Sequence, residues 1–534
     1  MFKTLLSYTI LVVTLAPQIA MGQTIINPTD TLTLSNIRVA PDGFERPVVA
    51  VNGAHINPLI RATKGDNFNL NVVNNLDDPT MLRSTSVHWH GLLQKGSTHA
   101  DGAEAVSQCP ISPGHSFRYQ FGTGDHAGTF WYHSHFGTQY CDGLRGPLVV
   151  YDPNDPHKDL YEVDDENTVI TLADWYHTQA PSVPAPATPD STLINGKGRS
   201  VNGPKDIALS IVNVEPGKKY RFRLASLSCD PNYRFSIDGH TLKVIEADGQ
   251  SVKPIDVTQI TIFTGQRYSF VLEANQPVAN YWIRALPNIG KNGLANTFAD
   301  GVNSAILRYK DAPEANPASS QQSPHTTLLE QDLRPFNEAP APGVAGRGNA
   351  DVNLQFNFAF RGGKFFVNDT SFEPPEVPVL LQILSGKNPA DLLPAGSIYS
   401  LPRGKVVEVT LPGLATAGPH PFHMHGHAFS VIRSAGSTVD NYDNPPVRDV
   451  VNIGGANDKV TIRFTTDNPG PWFFHCHIEF HLAQGLAIVF AEDVDGISLA
   501  NPIPNRQEWE DLCEIYRDLP ADQKNVVAVP PASR

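Results

Sequence analysis

A glycine, two further residues, and then apolar side chains at every second position: this pattern recurs along the whole chain. It opens at Gly65 with Phe68, Leu70 and Val72, and returns at Gly114 with Phe117, Tyr119 and Phe121. It appears again at Gly217 (Tyr220, Phe222, Leu224), Gly265 (Tyr268, Phe270, Leu272) and Gly404 (Val407, Val409, Leu411). A sixth copy keeps the phase without the glycine, running from Asn457 through Val460, Ile462 and Phe464. Strict alternation behind a turn residue predicts a half-buried strand. The copies form pairs 49, 48 and 53 residues apart, so the chain carries two equivalent strands in each of three successive units. That argues for an all-β protein of three like domains, built as Greek-key sandwiches or barrels.

Size and composition agree. The 534 residues suffice for about three domains of roughly 150 each, and 45 Pro and 41 Gly suit many short strands and turns. Turn-rich text at Tyr151–Pro156 and a Pro, Ala, Ser and Gln-rich stretch from Asp311 to Pro324 mark the joints. The expected units are 23–153, 154–320 and 321–534, with Glu338–Gly343 a loop inside the third. Helices should be few and short, the best candidate being Arg506–Leu519 in the C-terminal tail.

Residues 1–22 have the form of a secretory signal: Lys3, a short apolar stretch, then Ala20-Met-Gly22 with small residues for cleavage before Gln23. The apolar run is shorter than the ~20 residues a membrane span needs, and no other segment qualifies. A soluble, extracellular and monomeric mature protein is expected. A net charge of −14 argues against nucleic acid as a partner, since phosphate binding needs a basic face. Asn368-Asp-Thr370 is the one glycosylation acceptor of the usual form. Of five cysteines (Cys109, Cys141, Cys229, Cys476, Cys513), four can pair in three ways, and the odd thiol could be Cys476.

Eleven of the nineteen histidines fall in four short clusters: His88-Trp-His90, His133-Ser-His135, His420-Pro-Phe-His423-Met-His425-Gly-His427, and His475-Cys-His-Ile-Glu-Phe-His481. Each contains a His-x-His pair, which a strand presents on one face. The last cluster is expected on a strand, with His475 and His477 facing one way and Cys476 the other. Eight paired imidazoles exceed what one four-coordinate zinc can use and suit a cluster of about three metals. His420, Cys476 and His481 then remain for a separate mononuclear site of the His2Cys kind that copper favours. Cys476 sits covalently between two cluster ligands, a short electron path that has a use only for a redox metal. Copper is therefore preferred to zinc, with one-electron oxidation at the outer site and dioxygen reduction at the cluster.

These motifs, together with Gln139-Tyr-Cys-Asp-Gly-Leu-Arg-Gly146 and Ser228-Cys-Asp-Pro-Asn232, resemble the multicopper oxidases, above all the secreted fungal laccases. The resemblance spans nearly the whole mature chain and implies three cupredoxin-like Greek-key barrels holding four copper ions. It implies a type 1 copper on His420, Cys476 and His481, with Leu486 at the axial position as a non-ligand. A type 2 copper would take His88 and His423. One type 3 copper would take His90, His133 and His477, the other His135, His425 and His475. It also implies disulfides Cys109–Cys513 and Cys141–Cys229, a substrate carboxylate at Asp230 beside His481, and proton delivery through Asp101 and Glu479.

As bare residues, the lesser alternative for Asp230 is a turn residue in Cys-Asp-Pro-Asn, while Asp101 and Glu479 are more often solvated or hydrogen-bonded surface groups. His99, His126 and Met424 depart from the usual text of that family; polar loop positions are expected for the two histidines and a core position for Met424. His427 is expected to be a core histidine or a support for the ligands. The implied activity is oxidation of phenols and aromatic amines coupled to reduction of O2 to water. The rivals are a ferroxidase of the same family, which would need an acidic Fe(II) site near the type 1 histidines, and a non-catalytic copper store, which would have no need of Cys476 between cluster ligands.

Overall fold

The computed structural model describes residues 25–524, except 56, 415 and 417. The expected signal segment, 1–22, lies outside the described residues.

The repeated strands are paired with each other. In the first unit Asn67–Asn74 runs antiparallel to Ser116–Gly122, setting Phe68 opposite Phe121, Leu70 opposite Tyr119 and Val72 opposite Phe117. In the second, Lys219–Ser226 meets Arg267–Glu273 with Tyr220 opposite Leu272 and Phe222 opposite Phe270. In the third, Val406–Pro412 meets Lys459–Thr465 with Val407 opposite Phe464 and Val409 opposite Ile462. In the second and third units the pair lies inside its sheet, in the first Ser116–Gly122 forms the sheet's edge, and in each unit a second sheet closes over the pair. The alternating apolar side chains of both sheets then share one core per unit, as Phe222 and Phe270 do with Phe235 and Ile283 of the facing sheet. Non-consecutive strands are neighbours throughout, as Greek-key connections require.

Strands up to Tyr151, from Val169 to Tyr309, and from Val352 to Glu492 form sheets only within their own groups. Beyond residue 320, where the third unit is expected to begin, the chain still packs on the middle one. Leu328 and Leu333 lie in the middle core, and Val252 bridges to Pro335.

The third unit clasps the first. The helix Val379–Leu384 buries Val379 and Leu380 in the first unit's core, and their N–H groups donate to the carbonyls of Ala105 and Val106 at 3.1 and 2.9 Å. The C-terminal helix, found at Arg506–Asp518, does the same with Trp509 and Leu512; the Trp509 indole donates to Ser107 O at 3.1 Å. Cys513 of that helix is bonded to Cys109, and Cys141 to Cys229, the pairing implied by resemblance; Cys476 is the buried free thiol.

Candidate metal centre

Every His-x-His pair sits where a strand ends against the seam between the first and third units. His88 and His90 close the strand Val87–His90, and His133 lies near the end of Gly128–Ser134 with His135 just past it. His423 is on Pro421–Met424 with His425 just beyond. The strands pair so that His88 faces His133 and His423 faces His475.

One expectation is corrected. The strand bearing His475 stops at Cys476, and Glu479–Ala483 is a short helix. A continuous strand would send Cys476 and His481, five residues apart, to opposite faces. The helical turn brings them together: Cys476 Sγ lies 3.5 Å from His420 Nδ1 and 3.8 Å from His481 Nδ1, and those two nitrogens are 3.2 Å apart.

Eight of the other clustered histidines, all but His427, converge in three groups whose ligand atoms lie within 4.8 Å of one another: His88, His90 and His423; His90, His133 and His477; His135, His425 and His475. His425 Nε2 is 3.1 Å from His475 Nε2, and His477 Nε2 is 3.1 Å from His90 Nδ1. Such spacings bring lone pairs to a shared point. The Nε2 atoms of His133 and His135 are buried with no protein partner among the described residues. Burial, followed by the neighbouring imidazoles, holds His133, His135, His425 and His477 well below the ordinary histidine range. Burial brings His475 and His481 to about 3 and His420 to about 4. Neutral imidazole is the form that ligates a metal. Burial pushes the Cys476 thiol up, so a thiolate there needs an adjacent cation. Buried nitrogens without protons, orphaned acceptors and a thiol between them fit copper.

Opposite ring nitrogens are fixed by the protein, which sets each ring's orientation. His88 Nδ1 donates to Asp101 O at 2.7 Å, and His425 Nδ1 to Asp101 Oδ2 at 2.8 Å. Gly102 makes this approach possible: a Cβ there would meet Val87 O at 1.8 Å. Asp101 is thus buried at the cluster and is no surface group. Glu479 is buried too, with its carboxyl pushed well above the usual range by burial. His427 Nε2 is 2.7 Å from Glu492 Oε2 and Met424 is core, both as expected. His126 is half-buried, but His99, expected in a polar loop, is buried, and burial lowers it to about 4. Neither enters a ligand group among the described residues. Leu486 is fully buried in the core that contains Cys476, and Asn368 is exposed on a turn.

Asp230 is half-buried on the loop after Ser228, and its carboxylate has no protein hydrogen-bond partner among the described residues. That loop touches the helical turn of His481 through the Glu479 N–H, which donates to Cys229 O at 2.9 Å. Over the His2Cys site lies a hairpin, Phe358–Arg361 with Lys364–Val367, whose Phe365 ring sits 4.7 Å from that of His481.

Sequence reasoning missed the buried charges around these ligands. Arg267, from the middle unit, makes a two-pronged pair with Asp449 at 2.6 and 2.6 Å; Asp449 Oδ1 is 3.3 Å from His90 Nε2, and its carbonyl accepts from His423 Nδ1 at 2.9 Å. Asp174 anchors the loop of Asp230. The available signal was a charge inside an otherwise apolar strand, as in Val447-Arg-Asp-Val-Val451 and Val169-Ile-Thr-Leu-Ala-Asp-Trp175.

Known proteins show the same plan. Models of multicopper oxidase domains match residues 33–155, 166–312 and 372–496. The chain belongs to the multicopper oxidase family, copper-binding oxidoreductases, and its three units are cupredoxin-like domains. It is 56% identical to a laccase of Trametes hirsuta over 97% of this chain and 98% of the relative, and 57% identical to laccase-2 of Pleurotus ostreatus over 93% and 94%. Among solved structures it resembles the laccase of Botrytis aclada (TM-score 0.79, 31% identity, 93% and 92% covered). It also resembles Fet3p, a multicopper oxidase that functions in iron import (TM-score 0.78, 26% identity, 94% and 97% covered). Likeness along the whole chain makes this a laccase-type oxidase.

Proposed function

We propose that the protein oxidises phenols and aromatic amines, one electron at a time, at a type 1 copper held by His420, Cys476 and His481. In this reading His88 and His423 hold a type 2 copper, and His90, His133 and His477 with His135, His425 and His475 hold two type 3 coppers. When bound, the four coppers would collect four electrons and deliver them with four protons to O2, giving two waters. The carrying observation is Cys476, whose sulfur meets His420 and His481 while its chain neighbours His475 and His477 join the histidine cluster.

The chain's own groups fit the remaining tasks. His481 turns Nδ1 to the thiol, and its Nε2 has no hydrogen-bond partner among the described residues, leaving an edge for the donor. The exposed Phe360, tilted against the buried Phe365 at 4.6 Å, offers an aromatic surface near that ring. A phenol that loses an electron becomes strongly acidic, and Asp230 is the carboxylate that accepts its proton. In the same reading Asp101 and Glu479 hand protons toward reduced oxygen. No helix among the described residues is long and apolar enough to cross a membrane. The signal-like residues 1–22 support secretion of a soluble chain, which acts as a monomer.

The test is oxygen uptake by the copper-loaded protein with 2,6-dimethoxyphenol, an arylamine and Fe(II). An intensely blue protein that consumes oxygen with the phenol supports the reading; preference for Fe(II) would make it a ferroxidase, and copper binding without oxygen uptake a metal store. Asp230→Asn should weaken phenol oxidation near neutral pH and spare ferrocyanide, which has no proton to lose. Equal loss with both donors would remove Asp230 from that role.

A further inference from the structure

Asp174 lies at the end of the strand Val169–Trp175, fully buried, and its carboxylate gathers four donors. Oδ1 accepts from Arg145 Nη1 at 2.9 Å and from the backbone N–H of Cys229 at 2.9 Å. Oδ2 accepts from the Tyr176 hydroxyl at 2.9 Å and from the backbone N–H of Asp230 at 3.2 Å. Two consecutive N–H groups of the loop that carries Asp230 therefore close on one carboxylate. Arg145 reinforces the grip: Nη2 donates to Asp174 O at 2.6 Å and Nη1 to Leu227 O at 2.7 Å. The Cys141–Cys229 disulfide and the Glu479 N–H on Cys229 O hold the loop from its other side. The Tyr176 ring packs edge-on against Phe480, next to His481, at 5.5 Å.

We infer that Asp174 is a positioning residue for phenol oxidation, setting where the Asp230 carboxylate stands relative to the His481 edge and supplying a negative charge behind it. The inference rests on the reading of Asp230 as proton acceptor. The geometry gives Asp174 no other evident task, because a carboxylate inside an apolar strand is costly unless its donors are supplied. Arg145 alone would pair it; the two loop N–H groups are what tie it to Asp230. Its charge acts on chemistry as well as on position. Burial first, and then Asp174, hold the Asp230 carboxyl well above the usual carboxylate range. The other charged or titratable groups around this pair are Arg145, Tyr140, Tyr176, Tyr233, Cys476 and Glu479.

Asp174→Asn keeps one acceptor oxygen, loses the other, and removes the charge. For 2,6-dimethoxyphenol we expect kcat/KM to fall about tenfold, less than the ~10²–10⁴-fold that outright loss of a proton acceptor costs, because Asp230 is displaced and not removed. Turnover of ferrocyanide should stay within about twofold of wild type, and the blue colour should be retained. Without the Asp174 charge the Asp230 carboxyl ionises more readily, so the acidic limb of the phenol pH profile should move to lower pH. Tyr176→Phe retains the charge and removes one donor. It should cost about two- to threefold on the phenol alone, with the profile unmoved. The idea is overturned if Asp174→Asn slows both donors by one factor or leaves the phenol profile in place. Should that variant not fold, equal loss on both donors by Tyr176→Phe, or no loss, overturns it. If wild type oxidises no phenol, or Asp230→Asn slows both donors alike, the fault lies with the underlying reading and not with Asp174.

Discussion

Asp101 fixes two histidines of the cluster at once: its Oδ2 lies 2.8 Å from His425 Nδ1, and its backbone carbonyl lies 2.7 Å from His88 Nδ1. Both contacts need the Nδ1–H tautomer, which leaves each Nε2 lone pair for a metal. The two rings stack at 3.9 Å, so moving one disturbs the other.

Asp101→Ala keeps the carbonyl contact and deletes the carboxylate. His425 is left with a buried N–H and no acceptor, a cost of about 1–3 kcal/mol. The His420, Cys476 and His481 site is untouched. The blue colour should persist and bleach with substrate at the normal rate, while its return on adding oxygen slows at least tenfold, a loss of proton delivery and ligand order together. Stopped-flow absorbance separates the two half-reactions. Reoxidation at the wild-type rate would show that Asp101 neither orients nor delivers.

The middle unit supplies no cluster histidine, yet it reaches the cluster through Arg267. That guanidinium is fully buried, holds Asp449 by two bonds, and donates to the carbonyls of Thr129 and Gly265 at 3.0 and 3.0 Å. Arg267→Ala leaves the buried Asp449 carboxyl without its partner beside His90. Breaking a buried pair by removing one partner costs about 3–5 kcal/mol. The expected result is a clear drop in the urea midpoint and a weaker hold on cluster copper, read by metal analysis after dialysis. A variant as stable and as copper-retentive as wild type would mean that the pair carries no weight there.

Much of this was legible in the sequence because it depends on local periodicity. Phe68, Leu70 and Val72 announce a half-buried strand from their spacing alone, and the paired repeats announce three units. The eleven presumed ligands were legible because a thiol between two imidazoles has few bland explanations. What the sequence did not reveal depends on contacts between distant residues. Nothing near Asp174 names Cys229, and nothing near Asp449 names Arg267. The turn after Cys476 was hidden because His-Ile-Glu-Phe-His has no helix-capping residue, and the short helix begins without a side-chain cap. The joint near residue 320 was placed by composition, which cannot show that Leu328 and Leu333 fill the middle core.

Cys476→Ser tests the separation of the two sites. Serine keeps the shape of the side chain and loses the soft ligand, while His475 and His477 stay in place on their backbone contacts. The blue colour and oxidation of phenol and ferrocyanide should all vanish, and metal analysis should fall by about one copper per chain. Loss of all copper would mean that the cluster depends on the outer site for its assembly. Retained oxidation would refute the route through the sulfur.

Acid stability depends on Glu246, which joins the first and second units. Oε1 accepts from Thr129 N at 2.7 Å, Oε2 accepts from Ser269 Oγ at 2.7 Å, and Arg221 and Arg223 lie alongside. Burial is the largest single influence and works to raise this carboxyl. The charges of Arg221 and Arg223, with the hydrogen bonds, outweigh it and bring it from 4.5 to about 2. A carboxyl depressed by folding stabilises the native state above its unfolded value, and the contribution disappears as pH falls through the folded one. Here the window runs from about pH 4.5 down to about 2, and the amount is on the order of 3 kcal/mol. Glu246→Gln cannot titrate. It should be less stable than wild type at neutral pH, because Arg221 and Arg223 lose a partner, and its stability should fall less steeply across that window. Urea unfolding at a series of pH values measures both effects. A variant whose stability falls with acid as steeply as wild type would place the acid-sensitive group elsewhere.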